Sequence, residues 1–281
     1  GLKALLADVE DVRTAVPEGT LLLHMAEEAM GGERENEMAA FLVSKKAWTL
    51  QRDEKGRKAD YLIYEYELFE TPRQYALDAL MKESADRYWK AIREDSVEDL
   101  KAVSDHVPMD RHVLYDALYR NKAVNVAVYA VEQGAPVNSV EPQGGNTPLH
   151  LLCNETPYTH PFNERLAAAR AMTAAGADVN ATNKQGETPL VTLVISKRKD
   201  NYNNMGSPVE LAKILLQAGA DPNALDQGGY SVLYTAANNR MDDLVALLLE
   251  YGVTLDDNAL TKAYNMTDRT RQLFREKGAD I

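Results

Sequence analysis

Apolar residues recur at helical spacing along much of the chain, in short runs that each end on a glycine. In "ELAKILLQAGADPN" they fall at Leu211, Ile214, Leu215 and Ala218, the spacing of one buried helical face, and Gly219 then supplies a left-handed C-terminal turn. The stretch "DDLVALLLEYG", closing at Gly252, has the same design. Helix starts are marked too. Thr or Ser opens "TPLH" at Thr147, "TPLV" at Thr188 and "SVLY" at Ser231, with a hydroxyl able to cap free N–H groups and, in the first two, a proline tolerated in the first turn. Between stop and start lie short polar stretches, "NATNKQGE" and "NALDQGGY", whose glycines suit tight projecting turns.

Starts and stops move together. "GAPVN" begins at Gly134, "GADVN" at Gly176 and "GADPN" at Gly219, with weaker versions around Gly252 and Gly278, at spacings of 42, 43, 33 and 26 residues. Each of the first three is followed 12 or 13 residues later by its Thr or Ser signature. The unit is therefore a turn, a short helix, a second helix and a terminating glycine. Neither helix can bury its face alone, so neighbouring units must stack.

The segments "GGNTPLHLLCN", "GADVNATNKQGETPLVTLV" and "GADPNALDQGGYSVLYTAANN" resemble the ankyrin-repeat family, most closely over 134–252. The resemblance implies an all-α solenoid of stacked helix-turn-helix units. Upstream, "YWKAIREDSVEDLKAV" and "VLYDALYRNKAVNVAVYAVEQGAPVN" keep the length and apolar positions of the two-helix unit, which gives an array over 85–281. Its last unit is a C-terminal cap, with Leu260, Ala263 and Leu273 covering the preceding repeat. Residues 1–84 are read as divergent repeats, on the echoes "EGTLLLHMAEEA" and "RDEKGRKADYLIYE", or as a cap containing a β-hairpin, because Leu62, Tyr64, Tyr66 and Leu68 alternate with polar neighbours. Both readings stay open.

Repeats of this family run about 33 residues, so the longer spacings imply about nine or ten extra residues in each of two adjacent units. They are "NETPYTHPFN" (154–163) and "SKRKDNYNNMGSP" (196–208), both between first and second helix and therefore side by side along one rim.

Composition narrows the chemistry. The chain has 281 residues, 45% of them apolar, enough for a core of its own. A single cysteine excludes an intrachain disulfide, and with no C-x-x-C pair and scattered histidines (His24, His106, His112, His160) no metal site is expected. The net charge of -12, concentrated in the N-terminal part, argues against nucleic acid and favours a partner with a basic surface. No apolar run approaches the roughly 18 residues of a membrane span. The chain is expected to be soluble and cytoplasmic, with export after removal of a leader left open by its first residue, Gly1.

"HLLC" raises the question of a catalytic His150–Cys153 pair. The resemblance implies otherwise: the histidine bonds to the threonine hydroxyl and to neighbouring backbone, and Cys153 stands where a small buried residue belongs. Phosphate-cradling and common hydrolase motifs are absent, so no catalytic residue and no cofactor is expected. N-x-[ST] matches occur at Asn154, Asn180 and Asn265, the second inside the repeat's own Asn position.

What the resemblance implies about function is protein recognition by projecting fingers and a concave palm. The positions so implicated are Gln143, Asn146, Asn154 and Glu155 in one unit, Lys184, Gln185, Glu187 and Ser196 in the next, then Gln227, Tyr230, Asn238, Asn239 and Arg240. The expected function is a non-enzymatic binding module, monomeric when unbound, in one version an acidic inhibitor or immunity-type protein for a toxin or enzyme. The alternatives are an enzyme or toxin accessory using Tyr61, Tyr64, Glu65, Tyr66 and Glu67, and an adaptor with two binding surfaces.

Overall fold

The computed structural model describes residue 42 and residues 72–104, 111–121, 123–154, 162–196, 208–261 and 264–281. The chain divides into two compact units, Gly1–Met109 and Asp110–Ile281. In the first, α1 (Pro72–Glu94) packs against α2 (Val97–Ala102), whose N-cap Ser96 accepts from Asp99 N. The Asp99 carboxylate lies 2.8 Å from Lys90 Nζ and 3.3 Å from Arg87 Nε. The hydrogen bond from Lys90 is the main cause of a carboxyl held below its usual range.

Among the described residues, the second unit shows five helix pairs. A first row runs through α3 (Arg111–Tyr115) with its π-helical continuation Asp116–Asn121, α5 (Pro148–Cys153), α7 (Pro189–Ser196), α9 (Val232–Asn238) and α11 (Asp257–Thr261). A second row comprises α4 (Val124–Glu132), α6 (Phe162–Ala174), α8 (Pro208–Gln217), α10 (Asp242–Glu250) and α12 (Asp268–Glu276). Within each row every helix packs on its successor, so the unit is a solenoid two helices deep. Among the described residues there is no strand, only an isolated bridge from Leu225 to Ser231. The hairpin considered for residues 47–68 falls outside the described residues.

The core follows the repeat. Leu149, Leu190 and Leu233 stand at the same position after Thr147, Thr188 and Ser231, and all are fully buried. Each such side chain contributes about 2 kcal/mol relative to exposure. Along α8 the buried positions are Leu211, Ala212, Ile214, Leu215 and Leu216, whereas Ala218 is exposed. The buried face is wider than one stripe because α8 is pressed by α6, α7 and α10 together.

Each second helix ends as its glycine dictates. Gly219 has φ of 93°, and the N–H groups of Gly219 and Ala220 return to Leu216 O and Leu215 O. The asparagine four residues later then ties one repeat to the next. Asn138 donates from Nδ2 to Gly176 O at 2.9 Å and accepts Asp178 N–H at 2.7 Å. Asn180 does the same to Gly219 O and Asp221 N at 2.9 and 2.8 Å. Asn223 keeps the second bond alone, accepting Thr254 N–H at 2.8 Å.

In the last helix pair the buried residues stand one position away from those expected to form the cap. Phe274 and Ala259 are fully buried, whereas Leu273 and Leu260 are only partly covered, and Ala263 lies outside the described residues. Thr267 and Thr270 both donate to Asp242 Oδ1, which fixes α12 against the first turn of α10.

Candidate functional site

Three fingers project between the repeats, each built around an acceptor side chain at one equivalent position: Glu141, Asn183 and Asp226. In every finger this residue's N–H closes the loop onto a later carbonyl, that of Asn146 at 3.0 Å, Glu187 at 3.0 Å and Tyr230 at 2.8 Å. Its side chain gathers the N–H groups of the tip. Asn183 Oδ1 accepts Gln185 N and Glu187 N, both at 3.0 Å, and Asp226 Oδ1 accepts Gly228 N at 2.8 Å and Tyr230 N at 2.9 Å.

The first finger is one residue longer, and its acceptor is correspondingly longer by a methylene. Glu141 accepts Gln143 N at 2.6 Å, Gly144 N, and Asn146 Nδ2 at 3.0 Å, although the residue is 92% buried. Burial pushes its carboxyl upward, but the bonds from Gln143, Gly144 and Asn146 outweigh that and hold it below its ordinary range. A buried carboxylate therefore serves here as a turn anchor.

Adjacent fingers are also joined. Lys184 N donates to Gly144 O at 2.8 Å, Lys184 Nζ donates to Pro142 O at 2.6 Å, and Asn183 Nδ2 reaches Asn146 Oδ1 at 3.1 Å. The approach requires glycine at 145, where φ is 71° and an added Cβ would lie 3.1 Å from Lys184 Cγ.

His150 has a structural geometry. Its Nδ1 accepts Thr147 N–H at 3.2 Å and meets Thr147 Oγ1 at 2.8 Å, so Nε2 carries the proton and donates to Glu187 O at 2.8 Å. Burial lowers its pKa, offset in part by the Glu187 carbonyl. Cys153 is fully buried beside it in sequence. Ser196 Oγ bonds Cys153 O at 3.2 Å, so this residue of the proposed palm also links two repeats.

The remaining candidates separate by exposure. Gln143, Asn154, Lys184, Gln185, Gln227, Tyr230 and Arg240 are exposed, whereas Asn146, Glu187, Ser196, Asn238 and Asn239 are partly buried, and Glu155 lies outside the described residues together with most of both inserts. Tyr230 stands 37% exposed, its ring stacked on Tyr234 with centroids 4.6 Å apart and planes at 22°. Tyr234 was missed from sequence, although its spacing of four from Tyr230 and its place on the first helix were visible. Tyr119 was missed as well. It is half exposed in the π-helical segment of the first row, where an extra residue per turn hides the repeat register. Val140 and Leu225, two exposed apolar residues, occupy one equivalent finger position, with Thr182 between them. No group of His, Cys, Asp or Glu among the described residues could hold a metal. No described helix is long and apolar enough to cross a membrane.

The family model described as "Ankyrin repeats (3 copies)" matches residues 160–256. The chain carries ankyrin repeats. The chain is similar to the protein lin-12 of Caenorhabditis elegans, at 30% identity over 113 residues, 40% of this chain and 7% of that protein. It is similar to the palmitoyltransferase AKR1 of Kluyveromyces lactis, at 31% over 116 residues, 41% of this chain and 13% of that one. The human B-cell lymphoma 3 protein matches at 30% over 164 residues, 48% of this chain and 36% of its own length. The chain thus spans a minor part of each of these proteins.

Proposed function

We propose that this chain is a non-enzymatic protein-binding module that recognises a partner protein on the finger and concave surface of residues 138–240. The observation that carries the reading is a row of hydrogen-bonded fingers ending in an exposed tyrosine, Tyr230, stacked on the partly buried Tyr234. Tip N–H groups are held by Glu141, Asn183 and Asp226, the first two fingers are bonded to each other, and Tyr230 on Tyr234 offers a large side chain whose conformation is already fixed. Prearranged aromatic residues make strong anchors, since little side-chain entropy remains to be lost on binding.

The net charge of -12 supports a partner with a basic surface, and an acidic binder that covers the active site of a basic toxin or enzyme is the version this charge favours. The unbound chain is proposed to be monomeric. The test uses the full chain as bait in extracts of its native cell, followed by identification of the bound protein and hydrogen exchange of the reconstituted complex. Slowed exchange at residues 141–146, 183–187 and 226–240 is the expected footprint. Slowed exchange confined to residues 1–84 would overturn the reading.

A further inference from the structure

We infer that the step between the second and third fingers is an arginine-recognition site, in which Tyr230 stacked on Tyr234 and the carboxylate of Glu187 receive an arginine side chain presented by the partner protein. The inference rests on the concave binding surface proposed above and names the chemistry of its partner.

Glu187 and Tyr230 are the same position in successive fingers. Each carbonyl closes its own loop, onto Asn183 N and Asp226 N, and each N–H is held by the side chain of that same residue. The helices that follow, α7 and α9, pack against each other, which puts the two positions in adjacent fingers of the row. One is a carboxylate, the other an aromatic ring.

The charge here is negative. The Glu187 carboxylate takes a long bond of 3.3 Å from Asn183 Nδ2 at Oε2, while the nearest ammonium in its own finger, Lys184 Nζ, is turned to Pro142 O. Across the step, Asp226 is a second acidic residue, and its Oδ1 anchors the finger from which Tyr230 rises. Tyr234 covers part of the Tyr230 ring and leaves 37% of the residue at the surface.

A guanidinium fits both features at once. It is planar and weakly hydrated, so it stacks on a tyrosine ring, and its fork of N–H donors matches a carboxylate beside the ring. A lysine ammonium is compact and strongly hydrated and satisfies the carboxylate alone. The net charge of -12 adds long-range attraction for a basic partner.

The test titrates the full, isotope-labelled chain with the capped tripeptide Gly-Arg-Gly and with its lysine and citrulline counterparts, following the ring resonances of Tyr230 and Tyr234. The arginine peptide is expected to shift both rings saturably and to bind roughly two- to fivefold more tightly than the lysine peptide. Tyr230→Ala should abolish the response, Tyr230→Phe should keep it, and Glu187→Gln should weaken it and reduce its salt dependence. Equal shifts from all three peptides, or a response indifferent to Glu187→Gln, would overturn the inference. The two proposals fail separately. If the captured partner leaves its footprint on the fingers but binds the Glu187→Gln variant unchanged, the arginine site is wrong and the concave surface stands. If arginine-selective shifts appear while the footprint lies elsewhere, the arginine site stands and the proposed binding surface fails.

Discussion

The imidazole of His150 donates to the main-chain carbonyl of Glu187, 37 positions away in the next repeat, at 2.8 Å. Because Nδ1 is held by Thr147, the ring must stay neutral to make both contacts. Burial holds the folded pKa below the ordinary 6.5. The unfolded chain therefore takes up a proton more readily than the folded one as pH falls. The stability this ring contributes is complete above about pH 6.5 and is lost as pH drops through the lower folded pKa. Urea midpoints from pH 7.5 to 5 should fall more steeply for the wild type than for His150→Gln, and the difference isolates this residue. Parallel curves would contradict it.

Asn180 joins its repeat to the next through two bonds, to Gly219 O and from Asp221 N, whereas Asn223 makes the second kind only. Asn180→Ala should cost about 1 to 3 kcal/mol in urea unfolding, and Asn223→Ala about half as much. An equal loss at both positions would mean that the donor half of the clamp contributes nothing.

Glu141→Gln keeps the shape of the finger anchor but removes its charge. At pH 7 the loss should be on the order of 1 to 3 kcal/mol. The wild-type carboxyl titrates below its ordinary 4.5, so the stability it contributes is present above that value and disappears as pH falls through the lower folded one. The gap between variant and wild type should therefore close in acid. A gap that persists after the wild-type carboxyl is protonated would assign the loss to shape rather than charge.

Phe274 closes the C-terminal end, fully buried in the helix that packs on α10. Phe274→Ala should destabilise by about 3 to 5 kcal/mol, read as a lower melting temperature. Leu273→Ala, on the partly exposed side of the same turn, should cost clearly less. The reverse order would restore the register expected from sequence.

How much of this was legible follows from which forces repeat. Helix starts at Thr147, Thr188 and Ser231 and stops at Gly134, Gly176, Gly219 and Gly252 are local chemistry, and sequence reading found them. The place of His150 came through the family resemblance. The asparagine ladder was visible only as a recurring letter, because its partners lie 31 to 41 residues away in the next repeat. Glu141 escaped because its role lies in the bonds it accepts from the tip of its finger, and the position is filled by Glu, Asn and Asp in turn rather than by one recurring letter. The cap register failed for a similar reason. α12 is bonded to α10 from Thr267 and Thr270 to Asp242, contacts that periodicity alone does not encode. Tyr234, next to the exposed Tyr230, needed the loop and helix to be placed in space before the stack could be seen.

If a partner protein binds through the fingers and palm, titration calorimetry of the captured partner against the chain carrying both Tyr230→Ala and Asn239→Ala should show it. Binding should weaken by about 1 to 3 kcal/mol, roughly a five- to 150-fold weaker complex, with the melting temperature of the free chain nearly unchanged. An unchanged dissociation constant in the doubly substituted, fully folded chain would contradict it.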